Sequence, residues 1–302
     1  MLFRSRLEVR VFPSAPQMNH LSVLSRFEPT MLKLQPYPHV VIHDALPNDV
    51  ADSLRHEFPT PGEVGSDESR NNSRWSYGAS EIKGNPRITE LWRQTVDWHT
   101  SPGFWSEMLN VFGSILDVSM RDPTNRKSLS AESRVGVRGI STFEQSDVLL
   151  EAQISGNTPV TVTSSVRRTH LDEGNKIFSG LYYLRHPEDE SVGGDFVIQR
   201  WKPWVPSQMK KYLYFEGMRD CIETVCTVPY RHNTLVLLID TFDSLHAVTP
   251  RHPTSFPRRF MNLDGVLPNH EYKIPDPNLL ARVRRRLSVY RETVGLMIAR
   301  RQ

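Results

Sequence analysis

Hydrophobic and polar positions change their spacing twice along this chain. From Tyr37 to Asp44 (Tyr-Pro-His-Val-Val-Ile-His-Asp) the run is β-branched and apolar, and after Leu46-Pro47-Asn48 the residues Val50, Leu54 and Phe58 recur at helical spacing. A strand followed by a helix is predicted. Ile88, Leu91, Trp92, Thr95 and Val96 fit one face of a second helix. Ser101-Pro102 then offers a cap and a first-turn proline for a third, whose apolar face is Phe104, Trp105, Met108, Leu109, Phe112 and Leu116. A face this broad reads as packing against a sheet rather than as an aromatic ligand box.

From about Val135 to Leu267 strand signals take over: Val160 to Val166, Phe178 to Leu184, Phe196 to Gln199, Val225 to Val228, Leu235 to Ile239 and Phe260 to Val266. Helices first and then many short strands with returns suggest an antiparallel double sheet with helical buttressing. Between Pro275 and Gln302 the spacing turns helical again through Leu279, Leu280, Val283, Leu287, Tyr290, Val294 and Met297. The other face of that segment is heavily Arg and reads as a solvated packing helix rather than a nucleic-acid reader.

Three stretches break the pattern. Residues 1–35 lack clean periodicity and read as an irregular leader, either packed on the core or mobile. Residues 61–80 are rich in Gly, Ser, Asn and charge, and residues 121–135 are polar; both read as surface loops able to act as lids over a site. The remainder, 36–302, reads as one domain, with a β core over about 135–267 and a C-terminal helix over about 276–300.

Composition narrows the possibilities. The 302 residues are 38% hydrophobic and 24% charged, which suits one large globular core. The formal net charge is only +3 and the basic residues are spread out, so neither a nucleic acid nor a membrane is expected as partner. Cys221 and Cys226 have no neighbouring His or Cys cluster to complete a zinc site, and a disulfide framework is not expected. No apolar run has the length of a signal core or the roughly 20 residues of a membrane span. A reducing, cytoplasmic setting is the expectation.

The chemistry concentrates at Arg168-Thr169-His170-Leu171-Asp172. On a strand, residues two apart face the same side, so His170 and Asp172 can address one metal ion. His246 follows the Leu235 to Ile239 strand, and one antiparallel return can bring it opposite the pair. Two imidazoles and one carboxylate on one face of an ion leave positions open for other ligands, the arrangement of non-haem Fe(II) oxygenases. Arg168 should share the facing of His170 and so be able to reach a substrate.

The order His170-x-Asp172, Leu181-Tyr182-Tyr183-Leu184, Gly193-Gly194, His246 and then Arg258-Arg259 resembles the Fe(II)/2-oxoglutarate dioxygenase superfamily, in its prolyl-hydroxylase-like branch, over about Arg167 to Leu267. The strand and helix of Val40 to Phe58 look like the opening of that branch. The resemblance implies a double-stranded β-helix (jelly-roll, cupin-like) core, mainly β, with the N-terminal helices packed on the major sheet. It implies Fe(II) held by His170, Asp172 and His246, with 2-oxoglutarate as cosubstrate and dioxygen as oxidant. The distal carboxylate of the cosubstrate needs a fixed cation, and arginine offers a planar fork that stays charged in a dry pocket. Arg259 is the first choice, although its spacing from His246 is a few residues longer than usual in the family. Arg258 faces the other way on the same strand, and alternation alone leaves open which of the two points inward. Tyr183 matches the family tyrosine that contacts the same cosubstrate.

The expected activity is hydroxylation of a small molecule (a saccharide, an amino acid or a natural-product intermediate) with release of succinate and CO2. Asp172 disfavours halogenation, because the halogenases of the superfamily usually have a small residue there. The alternatives are a cupin-like metal-binding protein without 2-oxoglutarate turnover, a protein (prolyl) hydroxylase, and a scaffold whose Arg-rich tail contacts nucleic acid. Oligomeric state is left open.

Overall fold

A computed structural model describes residues 20–60, 62–63, 70–119, 129–207, 209–210 and 218–269. The tail helix expected over 276–300 lies outside the described residues. Strands β1 (Leu32–Lys33), β2 (His39–His43) and β3 (Arg74–Tyr77) alternate with helices α1 (Asn48–His56), α2 (Ala79–Ile82), α3 (Glu90–His99) and α4 (Pro102–Ser119). The remaining strands are β4 (Val135–Val137), β5 (Val148–Asn157), β6 (Lys176–Tyr183), β7 (Phe196–Trp201), β8 (Ile222–Val228), β9 (Thr234–Ile239), β10 (His246–Val248) and β11 (Arg258–Val266).

These strands form two sheets. The larger has eight strands in the order β1-β2-β9-β6-β11-β5-β3, with β4 beside β5; the smaller runs β10-β7-β8. Residues 160–170 extend the smaller sheet through single bridges, Val160 to Thr254, Ser164 to Arg251 and His170 to His246. From β5 onward the chain passes between the sheets, so that β11 lies between β5 and β6 while β10 lies between residues 160–170 and β7. That interleaving is the topology of a double-stranded β-helix.

The outer face of the large sheet carries the helices. Val148, Leu150, Ala152 and Ile154 of β5 and Met261 and Leu263 of β11 join Trp92, Val96, Phe104, Met108 and Phe112 in one apolar cluster. The strip of β5 and β11 residues alternating with these faces the smaller sheet, and there the site is built.

Several expectations require correction. The stretch 61–80 is not loop throughout: Arg74–Tyr77 pairs with β5, and α2 follows at once. The stretch 160–166 is not a regular strand, since it meets its neighbour only at isolated bridges. Strand β5 was not anticipated at all, because Glu151, Gln153, Ser155 and Asn157 alternate with its apolar residues and give it a loop-like composition. Within the described part of the leader, Leu21, Val23 and Leu24 are buried, so this segment packs on the core. Among the described residues no helix is long and apolar enough to cross a membrane.

Candidate metal centre

The site forms where residues 160–170 meet β10. His170 and His246 exchange backbone hydrogen bonds, N–H to O at 3.0 and 3.1 Å, and this antiparallel bridge sets their imidazoles side by side with ring centroids 4.2 Å apart. Asp172 arrives two residues later, with Oδ1 3.7 Å from His170 Nε2 and Oδ2 4.0 Å from His246 Nε2. One atom from each of the three residues lies within 4.8 Å of the others, the one such His/Cys/Asp/Glu group found among the described residues.

The hydrogen bonds around the rings fix which nitrogen is offered. His170 Nδ1 lies 2.8 Å from the Arg168 carbonyl and His246 Nδ1 2.9 Å from the Ser244 carbonyl. A carbonyl only accepts, so each Nδ1 carries the proton and each Nε2 keeps its lone pair toward the cluster. Phe196 stacks on the His246 ring at 5.2 Å, an apolar wall that holds it in plane. Burial, and then the neighbouring His246, push the His170 pKa down to about 3, so its imidazole is neutral at physiological pH, as a ligand must be. Burial raises the Asp172 pKa, but His246, Lys176, His170 and a hydrogen bond from Ser179 together outweigh it and hold the carboxylate ionised. Two imidazoles that offer Nε2 and an ionised carboxylate on one side of an open pocket suit a divalent first-row ion that keeps further positions free.

A polar network backs Asp172. Ser179 Oγ lies 2.7 Å from both Asp172 Oδ2 and Asp240 Oδ2. A hydroxyl has one proton to give, so it serves Asp172 only if Asp240 brings its own. Asp240 is fully buried, and burial together with the charge of Asp172 raises its pKa well above the usual range. The direction of the chain is therefore Asp240 O–H to Ser179 O–H to Asp172. Lys176 Nζ sits 2.8 Å from Asp264 and 3.7 Å from Asp172, and Asn262 donates to Asp264 at 2.9 Å.

The arginine expected to face this pocket is Arg258, not Arg259. On β11 the residues Arg258, Phe260 and Asn262 line the pocket, whereas Met261 and Leu263 join the outer core and Arg259 lies 5.4 Å over the Phe58 ring on that outer side. The period-two rule divides the pair, and the register of β11 against β5 and β6 decides its sense. Arg258 is buried, donates from Nε to the Gly194 carbonyl at 2.9 Å and from Nη2 to Tyr183 Oη at 2.8 Å. Gly193 and Gly194 both have positive φ, and a Cβ on Gly193 would fall 1.8 Å from the Pro250 carbonyl oxygen. Only glycine makes that turn, and the turn supplies the carbonyl that holds Arg258.

Arg167 and Arg168 are both exposed; Arg168 contributes its carbonyl to His170, and Arg167 is the one that lines the pocket. The irregular backbone of 160–170 cancels the alternation on which the expectation for Arg168 depended. Sequence reasoning also missed Arg74, Asn157, Lys176 and Asn262, all of which line the pocket. Recognising β5 as a strand with a polar inner face was the signal that would have found Asn157.

The fold and the cluster together define a jelly-roll protein with a candidate metal centre in its mouth. No family model matches the chain, and no curated protein matches it. Among solved structures, similarity is found to a Pseudomonas putida prolyl-4-hydroxylase at 13% identity and TM-score 0.43, covering 76% of this chain and 93% of that one. A prolyl 4-hydroxylase structure from Phytophthora capsici gives 14% identity and TM-score 0.48, over 91% of this chain and 79% of that one. The non-haem α-ketoglutarate-dependent epimerase SnoN of nogalamycin biosynthesis gives 12% and 0.39, over 76% of each chain.

Proposed function

We propose that this protein is an Fe(II)- and 2-oxoglutarate-dependent oxygenase that hydroxylates a small molecule. The observation that carries the proposal is the pairing, in one pocket, of the His170, Asp172 and His246 cluster with a buried arginine, Arg258, that has no carboxylate partner among the described residues. A cupin-like binder of metal alone has no use for such a cation, and leaving one desolvated is costly unless a ligand anion completes it.

In this reading His170 and His246 hold the ion through Nε2 and Asp172 through a carboxylate oxygen. Bound there, iron supplies the redox chemistry by which dioxygen and 2-oxoglutarate become succinate, CO2 and one hydroxyl on the substrate. The chain's own residues do the rest. Arg258 and the Tyr183 hydroxyl receive the distal carboxylate of the cosubstrate as a charge-assisted pair. Burial raises the Tyr183 pKa to about 12, so the phenol stays protonated and donates. Asp240, through Ser179, keeps Asp172 ionised and fixed in orientation. Leu181, Val236, Leu238 and Phe196 give the pocket an apolar wall that limits water beside the reacting centre.

The test is an anaerobic titration with Fe(II) and 2-oxoglutarate, followed by visible absorption. A metal-to-ligand charge-transfer band should grow to one equivalent in the intact protein and be absent in His170→Ala. No band in the intact protein ends the oxygenase reading.

A further inference from the structure

Beside the cluster, and adjoining the Arg258 that 2-oxoglutarate would occupy, the inner face carries further polar groups. Arg74, Asn157 and Arg258 occupy one cross-strand row, since Asn157 is the register partner of Arg74 on β3 and of Arg258 on β11. Asn157 is 1% exposed and lines the pocket, yet neither its Oδ1 nor its Nδ2 has a hydrogen-bond partner. Leaving a buried amide unmatched is unfavourable, so a site that retains one points to a ligand that completes it. Arg74 flanks it on the mouth side, 5.6 Å over the Phe260 ring with only a long 3.4 Å contact to Ser76 Oγ. Arg167 faces the same space from residues 160–170. Asp264 and Asp172 act on Arg74 through their charge, whereas Lys176, the remaining cation of the pocket, is matched directly by the same two carboxylates at 2.8 and 3.7 Å.

We infer that Arg74, Asn157 and Arg167 form a substrate-binding subsite for a carboxylate, and that the substrate is a small carboxylic acid whose acid end sits there while the carbon to be oxidised faces His170 and His246. The inference rests on the oxygenase reading for the reaction but not for the binding. Two guanidinium forks and an amide donor match the two oxygens of a carboxylate, and the Asn157 carbonyl is left to accept from an ammonium or hydroxyl group nearby. Amino acids and hydroxy acids fit this description; neutral saccharides do not.

The full chain, saturated with 2-oxoglutarate and Fe(II) without oxygen so that Arg258 is occupied, is screened by ligand-observed NMR. The probes are the proteinogenic amino acids and malate, lactate and 4-hydroxybutyrate, each beside its carboxamide. At least one acid should bind about tenfold more tightly than its carboxamide, and Arg74→Gln with Arg167→Gln should remove that advantage. Arg74→Lys with Arg167→Lys, which keeps the charge, should retain part of it, and melting curves confirm that the variants fold. The subsite is overturned if no acid outbinds its carboxamide, or if the double glutamine variant, still folded, binds acids as the parent does. The charge-transfer band, recorded on the same samples, separates the two ideas. Absent with acid discrimination intact, it removes the oxygenase reading alone; present without discrimination, it removes the subsite alone.

Discussion

The two faces of the large sheet come from the same strands and have opposite chemistry. Along β11, Arg259, Met261 and Leu263 look toward the helices, while Arg258, Phe260, Asn262 and Asp264 look toward the site. Along β5, Val148, Leu150, Ala152 and Ile154 look outward, and Glu151, Gln153, Ser155 and Asn157 look inward. On the outer face apolar packing dominates and stabilises the barrel, with only the indole N–H groups of Trp75 and Trp98 unmatched among the described members of its cluster. The inner face buries charges and amides whose pairing is completed only in part by the protein. Strands of one length thus serve stability on odd positions and chemistry on even ones, or the reverse, and a shift of one residue in register would exchange the two.

The comparison is broken most severely at the cluster. His170→Ala or Asp172→Ala should lower 2-oxoglutarate-dependent succinate formation by more than about 100-fold, beyond the change typical of outer-shell partners, with the melting temperature of the metal-free protein nearly unchanged. On the opposite face Leu263→Ala should do the reverse. It removes a fully buried side chain from the helix-packed core and should cost about 2–5 kcal/mol in urea unfolding, with little effect on the 2-oxoglutarate KM of the protein that remains folded. A mutation of either kind that moves both readouts together would show that the faces are not independent.

Arg258 and Arg259 test the same idea at adjacent positions. Arg258→Ala should raise the KM for 2-oxoglutarate by about 10–100-fold, the loss of a charge-assisted contact, while Arg259→Ala should change it less than about threefold. Equal effects would mean that the cosubstrate binds elsewhere.

The sequence made part of this visible for reasons that can be stated. The helix faces and the strands β6, β9 and β11 are legible because their apolar periodicity serves the outer core or both faces at once. Strand β5 is not, because its inner half is polar by function and its composition therefore resembles a loop. The convergence of His170, Asp172 and His246 follows from spacing and an antiparallel return, whereas the choice between Arg258 and Arg259 needs the register, which alternation does not supply. Arg74 was hidden inside a polar stretch whose strand character depends on pairing with β5. Ser179 meets Asp172 across 7 residues and Asp240 across 61, and Lys176 meets Asp264 across 88, so no local pattern announces the network.

The outer layer holds a histidine that contrasts with His170. His99, the last residue of α3, is fully buried against Phe104 of α4, donates from Nδ1 to the Thr95 carbonyl at 2.7 Å and accepts from Val23 N–H at 3.2 Å. Burial lowers its pKa to about 4, so the folded state binds a proton there less readily than the unfolded chain does. The stability it contributes is complete above pH 6.5 and is lost as pH falls toward 4, about 2 kcal/mol by pH 5. Glu107, which accepts from Ser22 Oγ, works in the opposite sense: burial raises its pKa to about 6, so its contribution is present at low pH and fades as pH rises from 4.5 to 6. Urea unfolding between pH 7 and pH 5 should therefore show a shallower acid loss in His99→Gln and a steeper one in Glu107→Gln.

The smallest effect concerns Ser179, where the inner face orders itself without touching substrate. If Asp240 donates to Ser179 and Ser179 to Asp172, removing the hydroxyl leaves two buried carboxyl groups facing each other with no bridge. Asp172 would then keep its charge only through Lys176 and the histidines, and its orientation would loosen. Ser179→Ala should weaken Fe(II) binding about tenfold, the lower end for an outer-shell partner, while Ser179→Thr, which restores a hydroxyl, should recover most of it. Asp240→Asn distinguishes the direction of the chain. An amide at that position can donate to Ser179 Oγ as a protonated carboxyl does, so near-normal metal affinity is expected; a loss as large as that of Ser179→Ala would mean that Asp240 is ionised and that the Ser179 proton points toward it instead of toward Asp172.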